Sequence, residues 1–96
     1  PFISYLVLSG GDPMYSALDC IDFLDKLNIN LPIWIYSGFT LEEILKDNSM
    51  SLLLDKCDVI TDGPFKQELR DITLKFRGSS NQNIYKKIDG CWILDV

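Results

Sequence analysis

The 96-residue sequence contains no histidine. That absence excludes Ser–His–Asp triads, His–carboxylate dyads and histidine zinc sites at once. Its three cysteines, Cys20, Cys57 and Cys91, stand singly, with no CxxC or related ligand spacing. Scattered, odd-numbered thiols in an acidic chain read as reduced, mostly buried cysteines of a cytoplasmic protein. No apolar run approaches the ~20 residues of a membrane span, and no signal-peptide pattern is visible. Basic residues are few: nine Lys and Arg stand against fourteen Asp and Glu, for a net charge of −5. A non-specific grip on nucleic acid needs a basic footprint, so nucleic acid is not expected as a partner; with no run long enough to span one, neither is a membrane. GxGxxG and Walker A motifs are also missing, which leaves dinucleotide and P-loop sites unsupported.

What is present is an ordinary globular composition, 47% hydrophobic and 24% charged. The length suits one small domain or a piece of a larger one. The first residue is Pro1, and Phe2 and Ile3 already lead into a first strand. This reads as a chain cut from something longer, with the missing segment upstream.

Three short apolar runs are spaced as βαβ units, which predicts a parallel sheet with crossover helices. The run Tyr5–Leu8 reads as the first strand. Ser16 and Asp19 then form a capping-box pattern, and Ala17, Ile21 and Leu24 with Cys20 and Leu27 make one helical stripe. Asn28 ends that helix, and Pro32 prevents its return. "IWIY", Ile33 to Tyr36, is the second strand. Thr40 and Glu43 make a second capping box, opening a helix through about Lys46, and another helix follows from about Ser49 to Asp55. "DVIT", Asp58 to Thr61, is the third strand. Residues 66–83 read as polar loop, and "NIYKKIDGCWILDV" as a β-hairpin turning at Asp89-Gly90. The expected organisation is a single α/β domain over 1–96. Within it, residues 1–65 make a βαβαβ ligand shelf, and 66–96 make loop plus hairpin.

All three predicted parallel strands end alike, in "SGGD", "SGF" and "DGP". Ligands of parallel α/β sheets sit beyond the carboxyl ends of the strands. Glycine there permits positive φ and close approach of backbone to a ligand. Asp12, directly after Gly10 and Gly11, is a poor phosphate binder because it adds negative charge, but a good acceptor for a cationic amine. The stretch "SGGDP" therefore reads as a loop that receives an ammonium group.

These residues carry a resemblance. "LSGGDPM" is similar to the GGE/GGD loop of the radical S-adenosylmethionine enzymes. "PIWIYSGFTLEEI", "DVITDGPF" and "FRGSSNQNIY" followed by "DGCW" resemble the activating proteins of anaerobic ribonucleoside-triphosphate reductases. The resemblance runs from about Tyr5 to Trp92. It implies a portion of a partial (β/α)6 barrel: three parallel strands with crossover helices plus a C-terminal hairpin. It also implies S-adenosylmethionine as cofactor and a 4Fe–4S cluster held by a CxxxCxxC motif. That motif is absent here, and it belongs upstream of the "GGDP" loop. The chain is thus expected to be the carboxyl-terminal portion of such an enzyme, inactive alone.

By the same resemblance, the whole enzyme cleaves S-adenosylmethionine reductively, with an electron from a flavodoxin- or ferredoxin-type donor. It thereby generates a glycyl radical in the reductase large subunit. The implied cofactor-binding residues are Gly10, Gly11, Asp12, Ser37, Gly38, Asp62, Gly63 and Arg77. Gly10, Gly11 and Asp12 are the amino-group loop. Ser37 and Gly38 lie where the cofactor's carboxylate or ribose is expected. Asp62 either faces the cofactor or fixes the "DGP" turn. Arg77, with its polar neighbours, either binds the cofactor's carboxylate or docks the reductase's glycine loop. A non-catalytic α/β ligand-binding or interaction module is the alternative reading.

Overall fold

The computed structural model describes residues 4–71, 73–74 and 77–95. Phe2 and Ile3, which lead into the expected first strand, Phe76 of "FRGSSNQ" and Val96 of the hairpin lie outside the described residues. Five strands form one mixed sheet: β1 (Leu6–Leu8), β2 (Ile33–Tyr36), β3 (Val59–Asp62), β4 (Asn83–Ile88) and β5 (Cys91–Leu94). They lie side by side in chain order, with β1–β2 and β2–β3 parallel and β3–β4 and β4–β5 antiparallel. Among the described residues β1 is therefore an edge strand.

Three helices connect the parallel strands: α1 (Ala17–Leu27), then α2 (Leu41–Leu45) and α3 (Asn48–Asp55). Strand side chains alternate between faces, and the pairing register aligns Leu8, Ile35, Ile60 and Tyr85 on one of them. That face carries the main core, where Ile35 and Ile60 meet Met14, Ala17, Ile44, Leu53, Leu54 and Cys57 from the helical side. The other face holds a smaller cluster of Trp34, Val59 and Ile84, flanked by Tyr5 and Tyr36. Trp34 stacks on Tyr36 and meets Tyr5 edge-on.

Local chemistry explains the boundaries. The Thr40–Glu43 capping box is closed in both directions, at 3.2 and 2.9 Å. Asn28 ends α1 in the left-handed conformation (φ 47°), which asparagine tolerates better than most residues. Asp89 and Gly90 both take positive φ, as the two-residue hairpin turn demands.

Two expectations need correction. Ser16 precedes α1 without a side-chain cap bond, because the chain first makes a short 3-10 helix, Pro13–Ser16. The capping acid is Asp12, which accepts from the Met14 N–H at 3.0 Å. The cysteines are not mostly buried: Cys57 is, Cys20 is part-buried, and Cys91 is exposed on β5.

Candidate ligand site at the strand ends

Because β1, β2 and β3 run parallel, their exit loops share one edge of the sheet. A hollow of about 350 Å³ opens there, lined by Gly10, Gly11, Asp12, Tyr36, Ser37, Gly38 and Gln82. Its size is within the range of roughly 300–1,000 Å³ typical of small-molecule sites. Gly10 and Gly11 have φ of +74° and +28°, and nothing lies within 4 Å of where a Cβ would stand on either. Their requirement for glycine is conformational. Among the described residues no hydrogen bond engages their backbone N–H or C=O groups.

Asp12 ties the first two strand ends together. Its Oδ2 accepts from the Gly38 N–H at 2.7 Å and from the Ser37 hydroxyl at 3.0 Å, while Oδ1 accepts from Met14. Ser37 is itself held, its N–H donating to Thr61 O and its Oγ accepting from the Phe39 N–H. A carboxylate offers about four acceptor positions. Three are filled, which leaves room on Oδ1 for one further donor.

Asp62 does similar work at the exit of β3. It is buried, at 3% exposure. Its Oδ2 accepts from the Leu41 N–H at 2.7 Å, and its Oδ1 accepts from Asn83 at 3.3 Å. Burial pushes its carboxyl pKa upward, against the opposing pull of those backbone donors. Asp62 borders a separate hollow with Thr40, Leu41, Glu42, Leu45, Asn83 and Tyr85, and does not line the one at Gly10. Gly63 takes φ +92° and donates its N–H to Phe39 O at 3.0 Å.

The run after β3 and the run before β4 form one clamp. Gln82 Nε2 donates to Gly63 O at 3.0 Å, and Asn81 Nδ2 donates to Pro64 O at 2.8 Å. Lys66 N–H donates to Ser79 Oγ, which donates in turn to Asn81 Oδ1. Gly78 lies against the Phe65 ring so closely that a Cβ there would stand 2.8 Å from it. Gln82 Oε1 accepts from the N–H groups of Gly78 and Ser79. Arg77 belongs to this clamp, donating from Nη1 to Gln82 O at 3.0 Å, with its Nε buried and unpartnered.

Five of the eight sequence-derived site residues thus share one hollow: Gly10, Gly11, Asp12, Ser37 and Gly38. Asp62, Gly63 and Arg77 do not line it. Sequence reasoning missed Tyr36 and Gln82. No sequence signal marks Gln82: it reaches this edge only because β4 pairs antiparallel with β3, opposing Asn83 to Asp62, which delivers the residue before β4 to where β3 ends. A larger hollow, about 420 Å³, lies between Met14–Asp19 and Asp47–Met50, and none of the strand-end glycines lines it.

The cysteines do not form a metal site. Among the described residues no three His, Cys, Asp or Glu side chains are grouped to hold an ion. Burial raises the Cys57 thiol pKa to about 12. A 4Fe–4S cluster needs clustered thiolates, and these three positions do not fit one.

The fold is an α/β domain with a hollow at the carboxyl ends of its parallel strands. The family model of the 4Fe-4S single cluster domain matches residues 1–85, and the chain belongs to that family. Among curated proteins it is similar to the anaerobic ribonucleoside-triphosphate reductase-activating protein of Vibrio cholerae, 41% identical over 86 residues, which cover 84% of this chain and 54% of that protein. The protein of the same name from Escherichia coli K12 is 34% identical, over 81% of this chain and 53% of its own length. That of Enterobacteria phage T4 is 31% identical, over 95% and 58%. The chain spans about half the length of the curated relatives it matches. No solved structure matches it.

Proposed function

We propose that this chain is the S-adenosylmethionine-binding portion of an activating enzyme for an anaerobic ribonucleoside-triphosphate reductase. In this reading the enzyme acts in the cytoplasm on the reductase large subunit, with a flavodoxin- or ferredoxin-type electron donor. The relatives' names point to the reductase. The carrying observation is the hollow in which Gly10, Gly11, Asp12, Ser37 and Gly38 converge. The three parallel strands, with the helices packed on one face, are read as a segment of a partial (β/α)6 barrel.

The residues present fit S-adenosylmethionine. The open backbone of Gly10 and Gly11 receives the amino-acid end of the cofactor, and the remaining acceptor position on Asp12 Oδ1 meets its ammonium. Ser37 and Gly38 border the carboxylate or ribose, and the Tyr36 side chain forms a wall. Asp62, Gly63 and Arg77 hold the neighbouring turn and clamp instead. The bound cofactor supplies radical chemistry, while these residues bind it, orient it and shield it from water.

Calorimetric titration of the chain with S-adenosylmethionine tests this reading. Saturable binding is expected. It should weaken at least about tenfold in Gly11→Val, because a β-branched residue opposes the positive φ of the loop. Absence of binding by the unaltered chain would overturn the proposal.

A further inference from the structure

Among the described residues, Gln82 is the one that both lines the strand-end hollow and holds the clamp between the third strand's exit and the start of β4. Its side chain carries three bonds in opposite senses. Oε1 accepts from Gly78 at 2.7 Å and Ser79 at 3.2 Å, and Nε2 donates to Gly63 O at 3.0 Å. Its own carbonyl accepts from Arg77 Nη1 at 3.0 Å. Only a primary amide combines an acceptor and a donor at that reach. A carboxylate would set oxygen against oxygen at Gly63, and an apolar side chain would strip all three bonds.

We propose that Gln82 is a positioning residue for the ligand in the hollow, resting on the cofactor reading above. Its bonds to Gly63, Gly78 and Ser79 fix where the clamp stands, and so set the position of the hollow wall that Gln82 itself forms. Asn81 provides the internal comparison. It is bonded into the same clamp, to Pro64 O and Ser79 Oγ, but does not line the hollow. A purely structural role predicts that loosening the clamp at either residue weakens ligand binding alike. A positioning role predicts that only Gln82 matters strongly.

The test compares the unaltered chain with Gln82→Leu and Asn81→Ala. Hydrogen exchange at the Gly78 and Ser79 amides reports the clamp, and calorimetry with S-adenosylmethionine reports the hollow. Gln82→Leu should lose protection at both amides, whose N–H groups its Oε1 accepts. Gln82→Leu should weaken binding about tenfold, the effect of about 1.4 kcal/mol, and Asn81→Ala by less than about threefold. Equal weakening in both, or unchanged binding in Gln82→Leu, would overturn the positioning role while leaving the cofactor reading intact. No binding by the unaltered chain would overturn both. Retained protection of Gly78 and Ser79 in Gln82→Leu would show that the amide does not hold the clamp, and would overturn the proposal by itself.

Discussion

The carboxylate of Asp12, at the exit of β1, accepts the backbone N–H of Gly38, at the exit of β2, at 2.7 Å. Two loops that are 26 residues apart in the chain are thereby closed onto one another by a single acid. The same carboxylate lines the hollow, so its negative charge both shapes the site and faces what enters it.

Asp12→Ala should therefore destabilise the fold itself. Hydrogen bonds to a charged group contribute about 1.5–3 kcal/mol each in favourable cases. Partial compensation by water at this half-exposed site makes a loss of about 2 kcal/mol in total the expected value. Asp12→Asn keeps the size and one acceptor oxygen, and should fall between. Urea unfolding measures this as a lowered midpoint with unchanged slope. An Asp12→Ala variant as stable as the unaltered chain would mean that the clasp does not form in solution.

Asp62 makes the opposite kind of contribution with pH. Its carboxyl pKa lies above the ordinary value of 3.8, with burial as the first cause. The folded chain therefore holds this proton more tightly than the unfolded chain does. The stabilisation is fully present below the unfolded value and is lost as pH rises through the folded one. Asp62→Asn cannot ionise. From about pH 4 upward the stability of the unaltered chain should fall relative to that variant, until Asp62 is fully ionised. Paired denaturation curves from about pH 3 to about pH 7, which bracket ordinary carboxyl titration, check the sign. A relative gain by the unaltered chain over that interval would mean that the backbone donors at Leu41 and Asn83 outweigh the burial.

Three thiols in three environments should react at three rates. Cys91 is exposed, Cys20 is part-buried with its pKa raised by burial and by Asp19, and Cys57 is fully buried with a pKa of about 12. The thiolate is the reactive form, so alkylation followed by mass spectrometry should label Cys91 first and Cys57 only on unfolding. Anaerobic reconstitution with iron and sulfide should leave the 96 residues without a stoichiometric cluster. Prompt labelling of Cys57 would contradict the packing described, and a stoichiometric cluster the assignment of the cysteines.

Much of this arrangement was legible in the residues. Strand-end glycines, the Thr40–Glu43 box and the Asp89-Gly90 turn are local signals, each decided within a few residues, and the structure places them as expected. The Ser16–Asp19 box failed because Pro13 starts a 3-10 turn that Asp12 caps, and pattern alone does not separate two adjacent helix starts. The clamp was invisible for a different reason. Its bonds join Gly63–Lys66 to Gly78–Gln82, and only the antiparallel return of β4 brings those runs together. "RGSSNQ" read as a polar loop that binds the cofactor or docks the reductase, and several of its side chains instead bond onto Gly63, Pro64 and Lys66.

The central claim is that the hollow at the strand ends is the S-adenosylmethionine site, and mapping the cofactor on the isotopically labelled chain by amide NMR tests it most directly. Saturable shifts are predicted at Gly10, Gly11, Ser37 and Gly38, with Ser49 and Met50 of the larger hollow unmoved. Shifts confined to Met14–Asp19 and Asp47–Met50, or none at all under saturating cofactor, would contradict it.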